Sequence, residues 1–205
     1  MNKNILIALL LILLVLAAYY LFGREREIET VMGDSDSEET RIEDEENREE
    51  VKERSDRTEV RERLDSMTVD VPDVDTFATL SGGEVAFDAG AGVEGYLNLG
   101  KAYTLVSNGE VEFALIHATI STGGSGTFDY VFAVRVTDDA LTHTGSAYVG
   151  DRIIVEGIDA EPRTGGGFDV SVLMLTRVDG EPLSALPTVP VTLEFSLSED
   201  GEFGE

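Results

Sequence analysis

Apolar and polar positions divide the chain into three regimes. From Ile5 to Phe22 the sequence reads ILIALLLILLVLAAYYLF, without charge, glycine or proline. At 1.5 Å per residue this run makes a helix of about 27 Å, close to the thickness of a bilayer's hydrocarbon layer. Tyr19 and Tyr20 stand near its distal end, where amphipathic rings favour the headgroup region. The pattern predicts a short tail and transmembrane anchor over 1–23, with residues 5–22 meeting lipid. A cleaved leader is the competing reading, but the core is longer than that of a usual signal peptide.

Polarity takes over from 24 to 67. Around Gly33 to Ser37, turn formers and like charges favour disorder. Farther on, opposite charges recur four apart, as in Arg41 with Glu45 and Glu59 with Arg63. Each exposed pair of this kind supports a helix by about 0.2–0.5 kcal/mol. No wide apolar stripe accompanies them; Val60, Leu64 and Met67 form one short face, enough to dock a final turn. A charged, partly helical or disordered stalk is expected, followed by a linker over 68–75 in which Pro72 stops the helix.

Beyond residue 76 the spacing changes to that of strands. Glycine-rich turns at 82–83, 90–92, 108–109, 123–126, 165–167 and 179–180 separate short apolar stretches. Expected strands cover 84–88, 93–98, 102–107, 110–121, 127–137, 145–149, 151–159, 167–178 and 188–198. The last is half-buried: Val189, Val191, Leu193, Phe195 and Leu197 alternate with polar residues. Pro190 places it at an edge or near a strand start. Phe113, Leu115, Ile116, Ala118 and Ile120 make both faces apolar, so that strand belongs at the centre with both sides covered. Shifted by forty residues, Phe113–Leu115 overlies Ile153–Val155 and Phe128-Asp129 overlies Phe168-Asp169, as two similar hairpins would. The fold expected is all-β, an antiparallel sandwich or small barrel over 76–198, with an acidic disordered tail at 199–205.

Charge changes the picture of surroundings and partners. The 205 residues carry a net charge of −26 from 41 acidic and 15 basic side chains. Phosphate backbones are repelled by such a surface, so nucleic acid is excluded as a partner. Lys3, Lys52 and Lys101 are the only lysines. Abundant carboxylate with scarce lysine suits concentrated salt, which screens self-repulsion, and a halophilic setting is expected. Without cysteine there is no disulfide, thiolate metal site, cysteine nucleophile or lipoprotein anchor. Lys3 and the terminal amine favour a short inner tail, although Arg24 and Arg26 oppose this. The expected location is the cell membrane, single-pass, with the C-terminal domain outside.

Candidate chemistry is sparse. His117 lies among apolar positions and His143 in a turn or strand approach, without HxH or HExxH spacing. Asp138 with Asp139 and Asp159 with Glu161 are weak candidates for a cation site; for the adjacent aspartates a solvated turn is the stronger reading, and Asp159 and Glu161 share a strand face. Ser146, Ser171 and Ser184 lack a GxSxG elbow, and the glycine runs lack the lysine and helix of a P-loop. Tyr96, Tyr103, Phe128, Tyr130, Phe132, Tyr148 and Phe168 have strand spacing suited to core filling, with an exposed subset able to meet a protein or glycan. Arg135, Arg152, Arg163 and Arg177 organise neighbouring carboxylates. The expectation is a non-enzymatic interaction or structural module without cofactor, meeting a protein partner at the envelope or in a membrane complex. A ligand- or cation-binding accessory domain is the alternative, and an enzyme with an unrecognised active site the third.

Overall fold

The computed structural model describes residues 56–204, apart from Ser125 and Leu183. The apolar run at 5–22 and the stalk up to residue 55 lie outside the described residues. Among the described residues no helix is long and apolar enough to cross a membrane.

Helical turns over 56–64 lead into eleven strands: β1 (Thr68–Asp70), β2 (Phe77–Thr79), β3 (Glu84–Asp88), β4 (Glu94–Ser107), β5 (Glu112–Ser121), β6 (Phe128–Val136), β7 (Leu141–Asp151), β8 (Ile154–Pro162), β9 (Phe168–Thr176), β10 (Val189–Leu197) and β11 (Phe203–Gly204). Strands β3 to β7 form a five-stranded antiparallel meander in chain order. A four-stranded sheet, in the order β11-β10-β9-β8, is also antiparallel. Strands β1 and β2 make a separate hairpin.

The larger sheet is the middle of three layers because its central strands are apolar on both faces. Phe113 and Leu115 of β5, with Val131 and Ala133 of β6, pack against Phe168, Val170, Val172 and Met174 of β9. Successive strand residues point to opposite faces. Ala114, Ile116, Ala118 and Ile120 therefore turn the other way, joined by Tyr130, Phe132 and Val134. They are covered by Val60 and Leu64 of the helical turns, Met67, and Val69 and Ala78 of the hairpin. The expectation that β5 is central holds, and its reason is visible in the unbroken run Phe113–Ile116, all fully buried.

Several segments differ from the sequence expectation: Phe77–Thr79 forms β2 outside the expected strands, and β7 begins at Leu141, so that His143 lies within a strand. Residues 68–70, expected in a linker, form β1, and Val69 and Val71 are buried. Residues 203–204, expected in a disordered tail, pair with Ser196 and Leu197. Strand β4 runs through the expected break at 99–101 by an irregularity between Leu99 and Tyr103. A Cβ on Gly100 would stand 2.3 Å from the His117 ring, so glycine lets the strand pass there. The edge position inferred for Pro190 agrees with its place, since β11 pairs with β10 only at Ser196 and Leu197.

Candidate functional site

The described acidic candidates do not converge. Asp138 and Asp139 are exposed in the β6–β7 turn, which Thr137 and Ala140 close by backbone and side-chain hydrogen bonds. Asp159 and Glu161 are exposed on β8, in the other sheet, opposite Ser171 and Asp169. Among the described residues no three His, Asp or Glu side chains are grouped to hold a metal ion.

Both histidines are committed to structure. His117 Nε2 lies 2.8 Å from Oδ1 of buried Asp129, whose Oδ2 accepts the Ile153 N–H at 3.2 Å. The close passage of Gly100 lies on the ring's Nδ1 side, and Asp129 is buried. His143 Nδ1 faces the backbone N–H of Asp70 at 3.1 Å, and an N–H only donates. The neutral ring therefore carries its proton on Nε2 and donates to Ser146 Oγ at 3.0 Å. A base for serine needs its lone pair toward the hydroxyl, the reverse of this arrangement. Burial holds His143 below its ordinary pKa, partly offset by a Gly145 backbone bond and the Asp70 charge.

The aromatic candidates separate by burial. Phe132 and Phe168 are enclosed, Tyr96 lies at the surface bonded to Glu94, and Tyr103 donates to Arg57 O at 2.7 Å. Phe128, Tyr130 and Tyr148 instead border an open cavity of ≈ 590 Å³. Volumes of about 300–1,000 Å³ are usual for small-ligand sites. The Tyr130 and Tyr148 rings meet edge to face at 5.6 Å, and Phe128 lies 6.5 Å from Tyr148. Register explains the cluster: Tyr130 and Tyr148 pair directly across β6 and β7, and Phe128 is two residues before Tyr130 on the same face.

A carboxylate enters from the hairpin layer. Val74 N–H bonds to Val71 O at 3.2 Å, closing a turn with Pro72 and Asp73 in the middle. Pro72 suits the first central position, and Asp73 occupies the second with φ 62°. That geometry sends the Asp73 side chain to the sheet, where Oδ2 accepts the Tyr130 phenol at 2.6 Å. Burial, then the Asp73 bond and charge, push the Tyr130 phenol well above its ordinary pKa. Tyr148 is also raised, first by burial and then by the charges of Asp151 and Asp129.

One strained backbone position lies in the cavity wall and two lie in chain segments next to it. Asp73, Ala91 and Arg152 are the non-glycine residues at positive φ among those described. Asp73 lines the cavity and Ala91 lies between its lining residues Gly90 and Val93. Arg152 donates its N–H to Thr127 O at 2.9 Å, immediately before Phe128. Such conformations cost about 1–3 kcal/mol each and cluster where a structure holds a site in shape. Sequence reasoning missed Asp73 because it read PDV as an extended join; the Pro-Asp pair, a turn former, was the available signal.

No family model, curated relative or solved structure matches the chain.

Proposed function

We propose that the chain is a membrane-tethered binding module, displayed outside the cell on an acidic stalk and adapted to high salt. The cavity between the β1–β2 turn and the Phe128, Tyr130 and Tyr148 rings is its binding site. The observation that carries this reading is an open cavity walled by three aromatic rings and by Asp73, a non-glycine residue held at positive φ. Surface tethering is supported by the apolar run at 5–22.

Two measurements test it. Full-length chain tagged at its C-terminus is expected to stay with membranes through an alkaline carbonate wash, and to lose the tag when intact cells meet external protease. Freely soluble, uncleaved chain would remove the tether. Saturation-transfer NMR on the full chain in lipid nanodiscs, with neutral, anionic and cationic fragments, is expected to reveal contacts that Tyr148→Leu abolishes. Fragment contacts indifferent to Tyr148 would move the site elsewhere.

A second reading has its own support. Leu173 of β9 and Ile154 of β8 are exposed on the outer sheet, each 44 % accessible. An assembly partner covering that face would make the module structural. Leu173→Asp would then release the chain from the complex while leaving cavity contacts intact.

A further inference from the structure

We propose that the cavity takes a small soluble organic cation, an alkylammonium ion, held over the tyrosine rings and against the Asp73 carboxylate. This rests on the cavity being the binding site and adds the chemical class of its ligand.

The lining selects by charge and by hydrogen-bonding capacity. Among the described residues the cavity is lined by Pro72, Asp73, Val74, Ala89, Gly90, Val93, Ile120, Thr122 and the three aromatic rings, with no lysine or arginine. An anion would meet Asp73 without a counter-charge, inside a chain of net charge −26. A sugar requires several directed donors and acceptors around its hydroxyls. Here the Tyr130 hydroxyl is already spent on Asp73, and most of the wall is hydrocarbon. A cation clad in methyl groups needs neither. Its hydrocarbon surface packs on Val93, Ile120 and Val74, and its charge is attracted by ring faces within about 6 Å. Such contact is worth about 0.5–2 kcal/mol, more when water is excluded.

Local potential adds to the preference. Tyr148 senses the charges of Asp151 and Asp129, and Tyr130 that of Asp73. Negative charge therefore lies close to both tyrosines. In concentrated salt, attraction beyond a Debye length of about 3 Å at 1 M is screened, so discrimination falls to these contacts. A bare alkali ion gains little from them, because it remains strongly hydrated and cannot fill an apolar cavity of this size.

The test compares choline with its neutral carbon isostere, 3,3-dimethylbutan-1-ol, on full-length chain in nanodiscs at constant ionic strength. Tyrosine fluorescence is a direct readout, as the chain has no tryptophan. Choline is expected to bind at least tenfold more tightly than the isostere. Asp73→Asn keeps a side chain tolerant of positive φ and an oxygen for Tyr130, yet removes the charge; it should weaken choline at least fivefold and leave the isostere unchanged. Tyr148 is 53 % exposed, so Tyr148→Leu leaves the core intact and should weaken both. Equal binding of choline and isostere would overturn the cation assignment while sparing the cavity as a site. Binding of neither, with thermal unfolding unchanged by both, would overturn the cation assignment and remove the support for the cavity as well. A trimethyllysine peptide held tenfold more tightly than choline would reassign the cation to a protein side chain and overturn the small-ligand proposal.

Discussion

The two faces of the five-stranded sheet are covered in opposite ways. One meets a second sheet through long strands and close side-chain packing, with Phe113 and Phe168 edge to face at 5.9 Å. The other is covered by short helical turns and three-residue strands, tied down by scattered polar bonds. Arg61 donates to Gly100 O at 2.7 Å, Arg63 to Thr137 O at 2.9 Å, and Tyr103 to Arg57 O at 2.7 Å. The first interface is a core. The second is a cover that leaves a cavity at one end, and a binding site is best built where the layer above is not sealed. Its strands pair over only three residues and its other ties are partly exposed polar bonds, so local opening should begin there.

The largest expected effect breaks the sealed face. Phe113→Ala removes a fully buried ring between the sheets and should cost about 3–5 kcal/mol in chemical denaturation of the full chain. Leu64→Ala, in the cover, should cost about 2–3 kcal/mol and act locally. Hydrogen exchange separates the two cases: Leu64→Ala should speed the amides of β1 and β2 while β5, β6 and β9 stay slow. Uniform acceleration throughout would mean that the cover and sandwich are one cooperative unit.

A smaller effect is expected where two backbones touch. A Cβ on Gly145 would stand 2.4 Å from Gly201 O, and neither backbone can swing aside as a long side chain would. Gly145→Ala should cost about 1–3 kcal/mol by forcing β7 from the β10–β11 turn. A change below about 0.5 kcal/mol would show that this end of the sandwich is slack.

The contrast between the faces also explains what could be read from the sequence. The sealed face was legible because long strands repeat their pattern: Val189 to Leu197 alternate, and Phe113 to Ile120 do not, so edge and centre separated at once. Both glycine-rich hairpin connections followed from composition alone. The cover was barely legible. A three-residue strand such as Thr68–Asp70 offers too few positions for a period of two, and its pairing with Phe77–Thr79 depends on the sheet beneath. The short face Val60, Leu64 and Met67 was recognised as a docking turn, and all three are buried. The candidate site needed contacts 57 residues apart, Asp73 with Tyr130, which local spacing cannot announce. Acidic pairs visible in sequence drew notice because they are close along the chain, and closeness in a turn or on one strand is not convergence.

Removing the tie between cover and sheet tests the cavity end. Tyr130→Phe deletes the phenol that Asp73 accepts and should cost about 1 kcal/mol, since the open cavity lets water replace part of a charged hydrogen bond. Its effect on exchange should be confined to residues near the β1–β2 turn. A loss above about 3 kcal/mol would mean that Asp73 is cut off from solvent, making the turn part of the core.

The smallest expected effect concerns another polar tie, from β1 to β7 through His143. Its pKa is depressed by burial, so the folded protein binds this proton less readily than the unfolded chain. Stability from this group is then complete above the unfolded value near 6.5 and falls as pH drops toward the lower folded value. Protonation at Nδ1 would also confront the Asp70 N–H with a second donor. Denaturation midpoints measured at pH 7.5 and 5.5, above the range where most carboxylates titrate, should therefore decline for the native chain. In His143→Asn the amide oxygen can still accept from Asp70, and the decline should shrink by the His143 share, with His117 unchanged in both proteins. An equal decline in the two would place the acid sensitivity elsewhere and leave the β1–β7 tie neutral to pH. A loss confined to β1 and β2 amides on acidification would instead show the cover releasing while the two-sheet core stays closed.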